Sequence, residues 1–315
     1  YNSTIFSSDV SSDISQNYTC FNLDAGPINS GNPNVPNVSD TLANSYTTGV
    51  YGRNGILKSQ NVNLEEIKLF EKNLKSYFSK ENIICSFDRM HPFIKNNFFF
   101  EDKKVTSLGK YFYIDLNLDI NLIFKNFKKS FRKDLKKSNP NIFEFQKFSD
   151  LKGIKKFYQI YYNEIKRKKA KKFYFFNFNF FKNIFLNMKN NAIFFYIKDK
   201  KNNKICSVEL ILFSSIYSHS YLGATTVEGK KKYANHYLKF KIIEFLKEKK
   251  IQYFLLGSGQ LPDDGIYKYK ESIAKDSYVE SKICFNIWDK KVYDKLKQNF
   301  KNKKKINKYQ FYEKE

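Results

Sequence analysis

The stretch from Tyr217 to Lys275 constrains this chain most. Tyr217 to Leu222 is short, aromatic and apolar and runs into Gly223, the pattern of a strand entering a turn. A lysine-rich loop containing Gly229 follows. Tyr237, Phe240, Ile243 and Leu246 then share one stripe of a helix that runs from about Tyr233 to Lys249. A second apolar run, Tyr253 to Leu256, ends at Gly257-Ser258-Gly259, and a short helix carries Tyr267, Lys268, Tyr269 and Lys270. Strand, basic loop at a helix start and second strand make a βαβ unit. Unpaired N–H groups and the helix dipole suit such a loop to an anionic ligand. The glycine spacing fits neither a Walker loop nor a dinucleotide fingerprint, which argues against an ordinary ATPase or Rossmann dehydrogenase.

The rest of the chain supplies a succession of elements around this unit. Helical spacing covers Leu64 to Phe78, and Asn82 to Phe87 reads as a strand leading into Asp88-Arg89-Met90-His91-Pro92. Tyr111 to Leu116 is a strand. Leu118 to Lys137 reads as one helix with Phe124, Phe127, Phe131 and Leu135 inward, closed by Asn139-Pro140. Then come a strand (Ile142 to Phe148), two helices (Asp150 to Lys168, Phe178 to Lys189) and three strands (Ala192 to Lys198, Ile205 to Phe213, Tyr217 to Leu222). After the central βαβ unit a last strand spans Tyr278 to Ile287. From Ile142 on, the order is β-α-α-β-β-β-α-β-α-β.

Composition narrows the class. At 315 residues the chain has room for two domains, and 42% hydrophobic content is ample for cores. No apolar run reaches the roughly 18 residues of a membrane helix, and no signal-peptide core is visible, so a soluble, cytoplasmic protein is expected. Cys20, Cys85, Cys206 and Cys284 are scattered, without C-x-x-C, and only three histidines are present. A zinc site is not expected, and a reducing compartment fits. The net charge of +25 has two readings, a codon-biased solvated surface or attraction to a polyanion. No DNA- or RNA-binding motif is present. Of the 56 basic residues only Arg53, Arg89, Arg132 and Arg167 are Arg, and an Arg in so Lys-rich a chain hints at bidentate recognition. Residues 1–52 hold four Asp and no Lys or Arg.

Five pieces in order resemble one branch of the GNAT superfamily, that of the Fem peptidyltransferases and the FemAB/BioF2-like acetyltransferases. They are Tyr51-Gly52-Arg53; Ser86 to Pro92; Phe131-Arg132-Lys133-Asp134-Leu135-Lys136-Lys137; Tyr161 with Arg167-Lys168-Lys169-Ala170; and Gly257-Ser258-Gly259 through Tyr267-Lys268-Tyr269-Lys270. The resemblance covers about Val50 to Ile287. It implies a mixed α/β fold of two GNAT-like halves, each a mostly antiparallel sheet flanked by helices. Boundaries are drawn at 1–48 (irregular), 49–140 (first, incomplete half), 141–300 (second half) and 301–315 (basic tail).

The activity implied is transfer of an acyl group to an amine or hydroxyl of a sugar or cell-envelope precursor, in the biosynthesis of envelope polysaccharide. The expected donor is acetyl-CoA or another acyl-CoA. Aminoacyl-tRNA, the donor of the true Fem enzymes, is the alternative, and a non-catalytic domain binding an anionic ligand is a third reading. The helical arm that tRNA-using Fem enzymes often insert is not visible here. Yet Glu228-Gly229-Lys230-Lys231-Lys232-Tyr233-Ala234-Asn235 departs from the loop with which GNAT enzymes grip coenzyme A. No metal is implied. A peripheral place on the inner membrane face is compatible.

Lys270 is the first catalytic candidate, because the family motif puts a functional lysine there. His219 is a candidate base near neutral pH, and Asp264 a group to orient an amine. Gly229, Lys230, Lys231, Lys232 and Asn235 are assigned to the anionic donor. Tyr51, Arg53, Arg89, His91, Tyr161, Arg167 and Tyr269 are assigned to an amino-sugar or nucleotide-sugar acceptor. Glu209, alternating with apolar neighbours, is expected to face solvent.

Overall fold

A computed structural model describes residues 23–27, 45–49, 62–93, 105–170, 172–259 and 263–300. The elements are β1 (Leu23–Pro27), β2 (Ser45–Gly49), α1 (Leu64–Lys80), β3 (Ile83–Arg89), β4 (Val105–Asp115), α2 (Ile120–Asn126), α3 (Lys129–Lys137), β5 (Phe143–Lys147) and α4 (Leu151–Arg167). After these come α5 (Phe178–Asn187), β6 (Ala192–Asp199), β7 (Ile205–Phe213), β8 (Tyr217–Thr225), α6 (Val227–Lys231), α7 (Ala234–Glu248), β9 (Tyr253–Gly257), α8 (Gly265–Ile273), β10 (Tyr278–Ile287) and α9 (Lys290–Phe300). Two compact units result: Tyr1–Gly109 with Glu280–Glu315, and Lys110–Val279.

In the first unit β1 is antiparallel to β2, β2 parallel to β3, and β3 antiparallel to β10. Helix α1 starts on a reciprocal capping box: the Asn63 side chain accepts from Glu66 N, and the Glu66 carboxylate accepts from Asn63 N. Its inward Phe78 meets Trp288 edge-on at 4.9 Å, and the Trp288 indole donates to Ser86 Oγ at 3.0 Å. That bond satisfies the polar end of an otherwise apolar ring.

The second unit is a sheet in the order β4-β9-β8-β7-β6-β5, antiparallel except for the β9–β8 pair. Strand β7 is central, and Cys206 to Ile211 are buried without alternation, as expected where helices cover both faces. On one face α7 brings Ala234, Leu238, Ile242, Ile243 and Leu246 onto a core shared with Phe112, Phe127, Phe131 and Phe254. On the other, α4 and α5 pack Phe157 against Phe194 and Phe181, with ring centroids 4.9 and 5.4 Å apart. Each such side chain contributes roughly 1.5–3 kcal/mol when fully buried.

Three local expectations change. The helix expected from Leu118 to Lys137 is two helices, α2 and α3. Phe127 is extended (ψ 144°), and Lys128 N donates out to Ser272 O instead of continuing the ladder. The Arg132 guanidinium closes the break by donating to the main-chain carbonyls of Lys125 (2.6 Å) and Phe127 (2.7 Å). Strand β8 does not stop at Gly223 but runs to Thr225, because its ladder with β7 continues through Gly223, Ala224 and Thr225. The lysine-rich loop is in part a helix, α6, whose first turn is capped by the Thr226 hydroxyl accepting from Gly229 N at 3.0 Å.

Candidate active site

The parallel pair at the centre of the second unit is short. Strands β8 and β9 pair only at Tyr217–Tyr253, Ser218–Phe254 and His219–Leu255. Beyond His219 the chain of β8 stays with β7 and leaves β9, so a fork opens between Ser220 on one arm and Leu256 and Gly257 on the other. A bulge marks the parting: Leu210 faces Leu222 and Ile211 faces Ser220, leaving Tyr221 as the extra residue. Bulges bend a strand and strengthen its twist, which is what separates two parallel neighbours.

Lys270 stands at the end of the β9 arm. From α8 its Nζ donates to the Ser258 carbonyl at 2.6 Å. Gly257 there has φ +86°, and a Cβ on it would lie 3.0 Å from Lys270 Nζ, so only glycine suits both its backbone and the ammonium. Asp264 caps α8, its carboxylate accepting from Tyr267 N at 2.6 Å. That bond explains why the helix starts where it does and thereby where Lys270 points.

Behind the fork lies a buried ionic cluster. Lys239 of α7 and Glu209 of β7 form an ion pair with side chains only 4% and 5% exposed. Ser220, the first residue past the parting, donates to Glu209 at 2.5 Å, and Lys239 also bonds Ser220 Oγ at 3.0 Å. The ammonium lies 5.2 Å from the ring centroid of Phe254 on β9. Glu209 is therefore not a solvent-facing residue. The Tyr269 hydroxyl is buried. Burial first, and the Glu209 charge second, hold it well above the usual phenol range, while the Asn235 side chain pulls the other way. His236 packs on Phe131 at 4.7 Å, and its Nε2 is 3.8 Å from Asp134. Burial pulls the imidazole below its usual range, against the smaller effect of Asp134.

Ser220 faces α7. His219 lies beside Tyr221, ring centroids 6.0 Å apart, and Tyr221 in turn lies beside Phe180 of α5. His219 is thus at the parting but on the α4/α5 face.

The residues assigned to the donor are mostly engaged. Gly229 sits against β7, where a Cβ would come 2.2 Å from the Cys206 carbonyl. Lys232 pairs with Asp199 at 2.6 Å, which holds that carboxyl below its usual range, and with Glu228 at 3.4 Å. Lys230 reaches Glu164 at 3.3 Å, and Lys231 is exposed. Asn235 is in the first turn of α7, beside Tyr269.

Of the acceptor residues, Tyr161 is buried and donates to the Tyr174 carbonyl at 2.9 Å. Arg167 grips Glu164 with Nε and Nη2, the bidentate geometry that its scarcity suggested. Arg89 ends β3 and His91 follows it, its Nδ1 accepting from Phe93 N; both belong to the first unit. Tyr51 and Arg53 lie outside the described residues. The Lys239–Glu209–Ser220 cluster was missed, although Lys239 follows Leu238 inside the apolar repeat of α7 and Glu209 sits amid apolar residues of β7. Two opposite charges on inward positions were the available signal. Among the described residues no group of His, Cys, Asp and Glu can hold a metal ion, and no helix is long and apolar enough to cross a membrane.

Neither a protein-family model nor a curated protein sequence matches the chain. Solved structures do. FemX superposes with a TM-score of 0.65 at 11% identity, over 91% of this chain and 92% of that one. L-PGS from Bacillus licheniformis gives 0.50 at 13% identity, over 75% and 77%. The C-terminal domain of a lysylphosphatidylglycerol synthetase from Agrobacterium fabrum gives 0.50 at 12%, over 75% and 77%. At these identities the likeness speaks of fold. On that ground the chain has the FemAB/GNAT-like fold that its motifs resemble.

Proposed function

We propose that this protein is an acyltransferase that presents an activated carbonyl in the fork between β8 and β9. The observation that carries this is the fork itself, opened by the Tyr221 bulge and bounded at its β9 arm by the Lys270 ammonium. In the reaction, a neutral amine or hydroxyl of the acceptor attacks the carbonyl carbon. Its proton passes to a base, and the C–S or C–O bond to the donor's leaving group breaks. Lys270 supplies fixed positive charge for the oxyanion that develops. His219, the last paired residue before the parting, serves as that base.

The leading donor is an acyl-coenzyme A and the acceptor an amino-sugar of a cell-envelope precursor. A second reading, aminoacyl transfer from tRNA, gains from a specific observation. Lys230 and Lys232 are held by carboxylates and Gly229 is sealed on β7, so the segment expected to hold a pyrophosphate is largely occupied. One structure that shares the fold also carries the name of a lysylphosphatidylglycerol synthetase, a name that specifies a lysyl product. Purified protein incubated with labelled acetyl-CoA and a panel of UDP-amino-sugars tests the first reading. Charged tRNA, with and without ribonuclease, tests the second. Transfer in either arm supports acyl transfer, whereas label retained on every donor with no acceptor modified would overturn it.

A further inference from the structure

The positive charge of the Lys110–Val279 unit is not spread evenly. Helix α3 carries Lys129, Arg132, Lys133, Lys136 and Lys137 against one acid, Asp134. Its inner side is fixed. Phe131 and Leu135 are buried, and the Phe131 ring packs on His236 of α7 at 4.7 Å and lies 6.1 Å from Tyr269 of α8. Lys129, Lys133 and Lys136 share the opposite side, by their helical spacing, and all three are exposed.

The cations around this stripe have partners. Lys128, at the helix start, pairs with Glu271 at 2.5 Å. Lys137, at its end, donates to the Tyr233 hydroxyl at 3.2 Å and lies 3.7 Å from Asp134. The Arg132 guanidinium is spent on the carbonyls of Lys125 and Phe127, a tether that also sets the exposed Lys125 of α2 beside the stripe. No carboxylate of the described residues pairs with Lys129, Lys133 or Lys136.

Such a helix works against itself. Like charges three and four residues apart repel, and a lysine in the first turn opposes the helix dipole. Helix α3 has no acid in that turn, and its N-cap, Lys128, makes no side-chain cap bond. Elsewhere the chain avoids this conflict. On α1 the exposed Lys68, Lys72, Lys75 and Lys80 are interspersed with Glu65, Glu66 and Glu71, and Lys75 pairs with Glu71 at 2.7 Å. On α7 Lys241 pairs with Glu244 at 2.5 Å. An external anionic surface would relieve the repulsion on α3.

We propose that the outer side of α3 rests on an anionic phospholipid bilayer, with Lys125, Lys129, Lys133 and Lys136 in its surface potential. Lysine is a compact, strongly hydrated charge, suited to such diffuse attraction. One turn before Lys125, Leu122 is 47% exposed and offers a shallow apolar contact. Nucleic acid fits less well. No aromatic side chain of α2 or α3 is exposed to stack on bases, and Arg132, the arginine suited to forked phosphate contacts, is occupied. Adsorption of this kind is independent of the chemistry at the fork.

Co-sedimentation of the intact chain with vesicles tests this. The probes are vesicles of equal parts phosphatidylglycerol and phosphatidylcholine, vesicles of phosphatidylcholine alone, and, by fluorescence anisotropy, an RNA hairpin with a single-stranded 3′ tail. Binding is expected to the anionic vesicles in preference to both other probes, and it should fall steeply as salt is raised. Lys129→Gln/Lys133→Gln/Lys136→Gln should weaken it roughly 100-fold, about fivefold for each lysine. Lys68→Gln/Lys72→Gln/Lys80→Gln on α1 removes the same charge and should leave binding nearly unchanged. Melting temperatures show that both variants are folded. No binding to the anionic vesicles, equal binding to the neutral ones, equal loss in the two triple variants, or tighter binding of the RNA through the same lysines would each overturn the proposal.

Discussion

The two sides of the larger sheet are built on different chemistry. From β5 to β7 the ladders run with one register shift, at Ile197/Lys198, and most of the interior is apolar, with Phe195, Ile197 and Leu210 each no more than 1% exposed. Between β8 and β9 the ladder stops after three pairs, and the same interior holds a lysine, a glutamate, a serine and the buried end of a tyrosine. The first region is held mainly by the packing of apolar side chains. The second holds an ion pair and its hydrogen-bonded serine, charges that must be mutually satisfied, and it is there that we place the carbonyl.

Breaking the ion pair separates the two regions most. Glu209→Leu leaves the Lys239 ammonium buried without its carboxylate and should cost about 3–5 kcal/mol in a denaturant titration, while Glu209→Leu/Lys239→Met should recover most of that loss. An equal loss in both variants would show that packing rather than charge balance governs the fork. On the closed side, Leu210→Ala should cost about 2–5 kcal/mol with no polar partner change able to rescue it.

Gly229→Ala comes next. The added Cβ meets a backbone carbonyl, and the roughly 1–3 kcal/mol typical of overpacking is expected. A silent substitution would mean that α6 can lift off β7 and free its lysines for a ligand. In the smaller unit, burial raises the Asp88 carboxyl to about 6. A folded-state value above the unfolded one means that the folded form binds the proton more tightly. Stability should therefore rise as pH falls from about 6 towards about 4, and Asp88→Asn should abolish that slope in unfolding curves. Smallest is Asp264→Asn. The amide oxygen can still cap α8, so stability should change by only a few tenths of a kcal/mol, and a loss of turnover in that folded variant would point to a role beyond the cap.

Much of this was legible in the chain. Strands and helices from Phe143 onward follow their periodicities closely because burial on one face writes itself into spacing, as in Ile154 and Tyr161 of α4. The break at Phe127 was not, since a side chain seven residues away from Lys125, that of Arg132, supplies the caps. Nor was the true inward line of α7. Tyr237, Phe240, Ile243 and Leu246 suggested one stripe, whereas Ala234, Leu238, Ile242 and Ile243 lie innermost, with Lys239 among them. A buried lysine is legible only with its partner, and Glu209 is thirty residues away. Lys270 was proposed from a motif, and its setting depends on Gly257 and Asp264, whose backbone roles no spacing reveals.

The central claim is that Lys270 acts on a carbonyl in the fork. Lys270→Met, assayed with whichever labelled acyl donor the wild-type protein uses, tests it most directly when its melting temperature is read alongside. Turnover should fall by about 100- to 1,000-fold, with a melting temperature within a few degrees of wild type. Undiminished turnover in the folded variant would contradict the claim.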